Sequence, residues 1–249
     1  SGKVAGVTIT PPGTSNGSAR IVIRGTSSLT ENSQPVFVID GMIIENEPGD
    51  TSVTVDGGTG STDLGNPVAD INPDDIESVS VLTGPSAAAL YGASAANGVI
   101  LINTKKGEAG KMRIDVSSSV EFMTPLTMPK FQNRYGISGN YYSWGDKLEN
   151  QSSYDPKDFF QTGVNVTNAA SLSTGTDKNQ TYLSLGTTNA KGIIHNNDYE
   201  RYNVTVRNVA KMLKDKLTLD LSFMLSSVKE QNMTSQGLYY NPLVPLYLF

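Results

Sequence analysis

Hydrophobic residues in the second half of the chain recur at every second position, which is the period of a β-strand. Five stretches show this pattern, within residues 114–122, 164–174, 181–188, 199–209 and 217–225. In the clearest stretch one face consists of large apolar residues: Leu217, Leu219, Leu221, Phe223 and Leu225. The other face holds Thr218, Asp220, Ser222, Met224 and Ser226. Such a stretch is long enough for a tilted strand of about 9 to 11 residues to cross a bilayer.

Two architectures produce this alternation. A half-buried strand of a soluble sandwich alternates in the same way as a strand of a membrane barrel. The hydroxyls and the single carboxylate around Asp220 favour a wet lumen, and the unbroken apolar face favours lipid. Five strands cannot close a barrel wide enough to hold a folded domain. On the barrel interpretation, the chain therefore contains only part of the wall.

The first half of the chain has a mixed pattern. Short apolar runs bounded by turn-forming residues predict four strands, within residues 19–23, 35–39, 78–82 and 98–102. The run Asn72 to Ile76 places a capping residue before a proline and two carboxylates, which predicts one helical turn. Pro85 to Tyr91, followed by Gly92, predicts a short helix with a C-terminal glycine. Strands and helices alternate, so we expect a small α+β domain.

Two long segments lack a regular pattern. Glu45 to Asn66 is rich in Gly, Thr, Ser and Asp and predicts a long exposed loop. Thr124 to Gln161 predicts a surface loop, or a strand crossing interrupted by one, and contains five tyrosine or tryptophan residues: Tyr135, Tyr141, Tyr142, Trp144 and Tyr154. Two roles stay open for them, as stacking platforms for sugar or peptide and as packing residues of a loop or membrane interface.

Composition removes several functional classes. Lys and Arg number 19 against 24 Asp and Glu, and no basic run is present, so nucleic acid is not an expected partner. The chain has no cysteine, and its single histidine, His195, has no motif around it that suits a catalytic triad or a zinc site. Asp56 and Asp63 have oxygen ligands for calcium between them, yet their spacing is not that of an EF-hand. We therefore predict no catalytic residue, no metal site and no cofactor.

Several short motifs occur in order along the chain. They are Ile23-Arg24-Gly25 with Ser27-Ser28, Gln34-Pro35-Val36-Phe37-Val38-Ile39-Asp40-Gly41, Ile71-Asn72-Pro73-Asp74-Asp75-Ile76-Glu77-Ser78-Val79, Ser86-Ala87-Ala88-Ala89-Leu90-Tyr91-Gly92, Ala95-Ala96-Asn97-Gly98-Val99-Ile100 and Asn103-Thr104-Lys105-Lys106-Gly107. Together they resemble the SusC/RagA family of TonB-dependent outer-membrane transporters of Bacteroidetes. Segments of the second half, among them Tyr182 to Gly186 and Arg201 to Asn203, resemble the early barrel strands of the same family.

The resemblance implies an α+β plug domain over residues 1–110. Residues 111–249 would then be the first antiparallel strands and loops of a large transmembrane β-barrel of about 22 strands. It further implies TonB-driven import of oligosaccharides or peptides across the bacterial outer membrane, a SusD-like surface lipoprotein as a lid, and contact with outer-membrane lipid. The segment that TonB grips would precede Ser1. The chain is not expected to be an enzyme.

Two groups of residues follow from this interpretation. The structural signature of the plug consists of Arg24, Asp40, Asn72, Asp75, Tyr91 and Asn97, and we expect Arg24 and Asp40 to pair with charged groups of the plug or the wall. The substrate-facing loop is predicted to present Asp50, Asp56, Asp63 and Asn66. Ala93 and Ser94 stand where the family often has Ser-Arg, which puts a salt bridge from that point of the plug to the barrel in doubt.

Two other functions stay open at this stage. One is a non-importing scaffold of a surface or secretion assembly in the outer membrane. The other is a soluble extracellular β-rich protein that binds or hydrolyses glycans.

Overall fold

The computed structural model describes residues 6–10, 19–25, 33–44, 50–55, 58–63, 66–83, 85–128, 130, 132–139, 142–151, 153 and 155–231. The strands are β1 (Val7–Thr10), β2 (Arg20–Ile23), β3 (Val36–Ile39), β4 (Met42–Ile44), β5 (Asp50–Val55), β6 (Gly58–Asp63), β7 (Ile76–Leu82), β8 (Val99–Thr104), β9 (Gly110–Met123), β10 (Tyr135–Ser138), β11 (Tyr142–Lys147), β12 (Gly163–Gly175), β13 (Asn179–Lys191), β14 (Asp198–Met212) and β15 (Leu217–Gln231). One α-helix, α1, covers Pro85–Tyr91, and short 3-10 turns cover Pro67–Asp70, Pro73–Asp75, Ala93–Asn97 and Pro156–Phe159.

A four-stranded mixed sheet forms the centre of the first half, with the strand order β4-β3-β8-β7. β3 and β8 pair in parallel, and the other two pairs are antiparallel. All four residues of β3 are buried, as the continuous apolar run Val36–Ile39 predicts. Ala87 of α1 and Ala95 pack on one side of this sheet, and Ile23 packs on the other. We call this sheet, with β1, β2, α1 and its 3-10 turns, the plug.

The local signals of the plug are confirmed. Asn72 caps the turn Pro73–Asp75, because its side-chain oxygen accepts a hydrogen bond from the Asp74 amide at 3.1 Å. Gly92 follows α1 with a φ of 81°, a left-handed conformation that glycine adopts without a steric penalty. The four strands predicted from the apolar runs correspond to β2, β3, β7 and β8.

The second half forms one antiparallel sheet of five long strands in the order β15-β14-β13-β12-β9. These are the five strands that the alternation predicts, and we call this sheet the wall. Its two faces differ. Large apolar side chains are exposed on the outer face, from Ile114, Val116 and Phe122 of β9 to the leucines of β15. On the inner face, Tyr182, Ser184 and other residues of β13 and β14 are buried against the plug.

The prediction of a long unstructured loop from Glu45 to Asn66 is wrong. β5 and β6 form an antiparallel hairpin in which Asp50 is opposite Asp63. The threonines and valines of this segment are β-branched and favour extended backbone, although no alternation of apolar and polar residues marks it. Asn66 is also not exposed, since only 7% of its surface is accessible. Residues 45–49 and 56–57 lie outside the described residues.

The segment from Thr124 to Gln161 contains a hairpin of β10 and β11 and the turn Pro156–Phe159. It is therefore a loop with structure of its own. The rings of Tyr135 and Trp144 lie 5.6 Å apart, and 69% of the Trp144 surface is exposed. Tyr141 and Tyr154 lie outside the described residues. The pattern also did not predict the short strands β1 and β4.

Candidate functional site: the seam between plug and wall

The plug and the wall meet along a band of polar contacts, which we call the seam. The plug contributes the residue after β3, the turns Pro67–Asp70 and Pro73–Asp75, and the end of β8. The wall contributes the inner faces of β9, β13, β14 and β15. Hydrogen bonds across the seam join Asp40, Ala69, Asp70, Asp74, Asp75 and Thr104 of the plug to Ser117, Tyr182, Arg201, Asn203, Thr205 and Arg207 of the wall.

Arg207 of β14 is the main cation of the seam. Its side chain is only 5% exposed, and its three nitrogens bond in two directions. Nε and Nη2 donate to the two oxygens of Asp220 on β15, at 2.9 and 2.8 Å. Nη1 turns toward the plug and donates to Asp40 Oδ1 at 2.8 Å, and to the backbone and side-chain oxygens of Thr104 at 3.0 and 2.8 Å. One guanidinium group thus joins two carboxylates on opposite sides of the seam.

Asp40 is held in place by its own domain. It follows β3 in a left-handed conformation with a φ of 48°, and Gly41 continues the turn. Its Oδ1 accepts from the Thr104 amide at 2.9 Å, and its Oδ2 accepts from the Thr104 hydroxyl at 2.5 Å. Because β3 and β8 are paired neighbours, these bonds fix the carboxylate at the ends of both strands.

The charges of this cluster balance. Lys106, in the connection between β8 and β9, places its Nζ 3.7 Å from Asp220 Oδ2 and is 49% exposed. Two cations therefore face the two carboxylates Asp40 and Asp220. A buried charge without a partner would cost several kcal/mol, so this balance lets charged groups persist where Arg207 and Asp40 are nearly inaccessible to water.

Asp75 forms a second polar cluster and is 1% exposed. Its Oδ1 accepts from the Tyr182 hydroxyl at 3.0 Å, and its Oδ2 accepts from the Thr205 hydroxyl at 2.7 Å. The two donors come from neighbouring wall strands, β13 and β14. The backbone carbonyl of Asp75 accepts from the Lys105 amide at 2.8 Å. A single plug residue is thus bonded through its carboxyl group to two wall strands and through its backbone carbonyl to the end of its own sheet.

Backbone carbonyls of the plug turns are also bonded to the wall. Asn203 Nδ2 donates to the carbonyl of Asp70, and Arg201 Nη1 donates to that of Ala69. The Ser117 hydroxyl donates to the carboxylate of Asp74. These contacts satisfy polar groups that the 3-10 turns leave without partners of their own.

Gly186 of β13 allows the turn at Asn72 to come this close. A Cβ atom added at Gly186 would lie 2.9 Å from Asn72 Nδ2, which is closer than side chains approach. The glycine thus leaves room for the capping residue of the plug against the wall.

A cavity of about 490 Å³ lies in the seam, between β2 and the first plug turn on one side and β12 to β14 on the other. Asn66 lines it, donates from Nδ2 to the Ala19 carbonyl at 3.0 Å and has no partner for Oδ1 in the described part of the chain. Asn165 Oδ1 and Arg201 Nε, on the wall side, likewise have none among the described residues. The seam is therefore not closely packed along its whole length.

The structure brings some of the predicted signature residues into the seam and leaves others outside it. Asp40 and Asp75 make wall contacts, and Asn72 caps the turn beside Gly186. Arg24 has a φ of 59° and a backbone bond to Gly6 but, within the described residues, no ion-pair partner. Tyr91, the last residue of α1, packs against the core of the plug.

The remaining predicted residues lie elsewhere. Asn97 is half-buried at the end of the turn Ala93–Asn97. Asp50 and Asp63 are opposite each other in the β5–β6 hairpin, and Asp56 lies outside the described residues. Among the described residues, no group of three or more His, Cys, Asp or Glu side chains is arranged to hold a metal ion. In the same part of the chain, no helix is long and apolar enough to span a membrane.

The wall half of the seam was not identified from the sequence. Asn203, Thr205 and Arg207 alternate with Val204 and Val206 on β14, so a polar inner face was visible. Because a cation in the middle of a membrane strand is costly on the lipid side, Arg207 is expected to face the lumen. There it can pair with a carboxylate. The partner itself, Asp40, could not be found without the fold.

Comparison with known proteins agrees with this architecture. The TonB-dependent Receptor Plug Domain family matches residues 1–99. TonB-dependent receptor SusC of Bacteroides thetaiotaomicron is 36% identical over 235 residues, which cover 89% of this chain and 22% of that protein. TonB-dependent receptor P39 of Formosa agariphila is 33% identical over 213 residues, covering 80% of this chain and 18% of that one. The chain thus spans about a fifth of the length of these relatives.

Solved structures show the same fold. The RagAB peptide importer in its closed-closed state superposes with a TM-score of 0.68 at 23% identity, over 95% of this chain and 28% of the other. Its open-open state gives a TM-score of 0.64 at 24% identity, over 92% and 28% of the two chains. The plug with its antiparallel wall is thus the fold of TonB-dependent receptors, whose location is the outer membrane, and the soluble sandwich is excluded. The chain is SusC/RagA-like and corresponds to about a fifth of a TonB-dependent receptor, a class of protein located in the bacterial outer membrane.

Proposed function

We propose that the protein imports oligosaccharides or peptides across the outer membrane, with the plug closing the lumen of the barrel until TonB supplies energy. We place the plug domain at residues 1–110 and the first part of the barrel at residues 111–249. A SusD-like lipoprotein on the cell surface would act as the lid, and TonB would act through a segment ahead of the plug. The descriptions of one relative as a TonB-dependent receptor and of a structural neighbour as a peptide importer support the roles of TonB and of import, and the lid follows from the family resemblance.

The composition of the seam carries the proposal. A plug that only filled the barrel would be held most simply by apolar packing, which is lost gradually as surfaces separate. Here many contacts across the seam are hydrogen bonds and an ion pair, such as Asp75 with Thr205 and Asp40 with Arg207, although Met224 of β15 also packs against the plug core. Polar contacts are directional and can be replaced by water once the surfaces part, so a polar seam suits a plug that must seal and then move.

The lengths of the connections orient the wall in the membrane. The connections 176–178 and 213–216 are short, whereas 124–162 is long and contains its own hairpin. Outer-membrane barrels have short turns on the periplasmic side and longer loops outside the cell. We therefore place the Arg207 cluster in the periplasmic half of the seam, and the cavity beside Asn66 in the outer half.

The cargo would meet the plug from the outer side. Our candidates for contact with cargo are Asp50, Asp56 and Asp63, which belong to the segment of the β5–β6 hairpin. Asn66 joins them as a residue at the cavity in the seam. The exposed Trp144 and its neighbour Tyr135 lie in the outer connection, where stacking on a sugar ring or a peptide side chain is chemically suited to them.

Uptake by whole cells tests the proposed function. The full-length receptor is expressed in a Bacteroidetes strain that lacks its own copy, and the cells receive fluorescent oligosaccharides or fluorescent peptides. Accumulation that stops when the proton gradient is dissipated, and that falls when the SusD-like partner is deleted, supports energised import. We call Asp50, Asp56, Asp63 and Asn66 the loop group. A variant with all four changed to alanine should lower uptake of the cargo class that the receptor imports.

The same experiment separates the alternatives. Cells that assemble the receptor in the outer membrane but accumulate neither probe class, with or without energy, would contradict import and favour the scaffold. Uptake that survives dissipation of the gradient would contradict dependence on TonB. The alanine variant of the loop group is matched with Asp155→Ala, in a turn of the outer connection, which should leave uptake unchanged.

A further inference from the structure

Arg207 is bonded so that the seam can open without leaving a buried charge unpaired. Within the described residues, two of its nitrogens, Nε and Nη2, bond only to Asp220, and both residues belong to the wall. In the same part of the chain, Nη1 alone bonds to the plug. If the plug moved away, the bidentate pair of Arg207 and Asp220 would stay intact on the wall side. Such fork-to-fork pairs are among the strongest ionic contacts that proteins form.

The plug side has a matching arrangement. Asp40 keeps its two bonds to the amide and the hydroxyl of Thr104, because both residues belong to the plug sheet. These bonds satisfy one lone pair on each carboxylate oxygen after separation. Opening of the seam in this cluster therefore breaks, among the described residues, only the hydrogen bonds of one guanidinium nitrogen, Nη1. Arg207 stays bonded to Asp220 on the wall, and Asp40 stays bonded to Thr104 on the plug.

We propose that Asp220 is a stand-by partner of Arg207 that lowers the barrier to plug release, and that Asp40 is the partner that holds the closed state. Asp220 can stay bonded to Arg207 whether the plug is closed or released, whereas Asp40 bonds it only while the plug is closed, so the two carboxylates act in opposite directions on release. This inference rests on the proposed function only in assuming that the plug moves. It assigns a role to a residue that both sequence motifs and family resemblance leave without one.

The exposure of the groups agrees with these roles. Asp40 is 9% exposed and Asp220 is 34% exposed, so water already reaches the stand-by partner while the plug is closed. Lys106 lies 3.7 Å from Asp220 and balances the second carboxylate in the closed state. Since Lys106 is half-exposed, its pair with Asp220 contributes little to holding the plug.

Constant-force measurement on the full-length receptor tests the proposal. The receptor is held in lipid nanodiscs, a handle is attached ahead of residue 1, and the lifetime of the closed plug is recorded at one fixed force. Asp40→Asn should shorten the lifetime by about 10- to 100-fold, since a charge-assisted bond is weakened. Asp220→Asn should lengthen it by at least about threefold, because release would then leave Arg207 without its stand-by partner.

Two control variants separate the effect of the Asp220 carboxylate from a general effect of charge. Asp158→Asn removes a carboxylate from the exposed turn Pro156–Phe159, in the connection between β9 and β12, and it should leave the lifetime unchanged. Lys106→Gln removes the second contact of Asp220 and should change the lifetime by less than about twofold. If Asp220→Asn does not assemble, Asp220→Ser replaces it, because a smaller side chain admits water beside Arg207.

Opposite effects of the Asp40 and Asp220 variants support the proposal. A shorter lifetime for the Asp220 variant would overturn it, because Asp220 would then help to hold the plug closed. An unchanged lifetime would also overturn it, because Asp220 would then have no effect on release. Failure of both Asp220 variants to assemble would overturn it as well. The measurement needs no cargo, so a receptor that imports nothing can still show the opposite effects, and one that imports can lack them.

Discussion

Asp75 shows at the scale of one residue how the plug is fixed by a carboxyl group that has no ion-pair partner among the described residues. Its carboxyl group is almost inaccessible and accepts one hydroxyl hydrogen bond on each oxygen, from Tyr182 and from Thr205. A buried acceptor that loses its donor costs about 1–3 kcal/mol. The cluster is therefore sensitive to the removal of a single oxygen atom.

Tyr182→Phe removes one of these donors and keeps the ring. We expect the closed plug to lose about 1–3 kcal/mol of stability relative to its separated state. Hydrogen–deuterium exchange of β7 and β8 in the full-length receptor measures this loss. Tyr202→Phe, on the outer face of the neighbouring strand and 51% exposed, is the matched control. Equal exchange in the two variants would contradict the role given to the Tyr182 hydroxyl.

At Asp70, burial disfavours the ionised form of the carboxyl group. Burial raises the pKa of Asp70 above its ordinary value of 3.8, and the nearby Arg201 only partly offsets this rise. A raised pKa in the folded state means that the folded plug binds the proton more tightly than the unfolded chain does. The ionised carboxylate therefore weakens the fold at neutral pH, and this contribution disappears as pH falls through the folded pKa.

Asp70→Asn should consequently make the plug as stable as the natural chain or more stable at pH 7, with the difference shrinking as the pH approaches 4. Urea unfolding of the plug at several pH values, followed by exchange of β8 amides, measures the difference. Asp158→Asn, on an exposed turn of the outer connection, controls for the loss of one negative charge. A variant less stable than the natural chain at pH 7 would contradict the assignment.

At the scale of elements, β9 separates lipid from lumen with alternate residues. Val116 lies near the middle of the strand on the outer face and is 76% exposed, whereas Ser119 belongs to the inner face. Val116→Lys should destabilise the folded receptor in lipid by about 2–4 kcal/mol, the cost of a basic residue near the midplane. Ser119→Lys should cost much less. Refolding into vesicles at graded urea concentrations compares them, and equal losses would show that the faces are assigned wrongly.

The sequence predicted the elements better than their contacts. Long alternation marked every wall strand, because a strand between lipid and lumen has one apolar and one polar face by necessity. Runs such as Val36–Ile39 and the cap at Asn72 are local signals, and both predictions are confirmed. The hairpin of β5 and β6 was missed, since its residues have strand propensity without alternation.

Contacts between distant parts of the chain were beyond sequence reasoning. Asp40 and Arg207 are 167 positions apart, and nothing local links them. The motif containing Asp40 indicated that the residue matters, while its partner depends on how β3 and β14 are placed. The departure at Ala93-Ser94 put one salt bridge in doubt, and the seam forms its ion pair with an arginine from the wall instead.

At the scale of the whole molecule, motion of the plug against the wall is the property to test. Asp74 and Ser117 are in direct side-chain contact across the seam, and the chain has no cysteine of its own. Asp74→Cys combined with Ser117→Cys should form a disulfide that abolishes uptake in the full-length receptor. A reductant should restore uptake, and each single variant should import normally. Uptake that persists with the disulfide formed would mean that this edge of the plug stays in place.

The connection between β8 and β9 has a mechanical consequence. It consists of residues 105–109, where Gly107 lies against the Thr181 backbone and the Glu108 amide donates to Ser173 at 3.0 Å. Five residues reach at most about 18 Å when extended, so this leash keeps the end of the plug beside the wall. We expect unravelling to begin at the free side, with β1 and β2 losing amide protection before β8 when TonB pulls. Loss of amide protection at β8 before β1 and β2 would contradict this order. If the order holds, the path for cargo opens on the side of the lumen away from the connection 105–109.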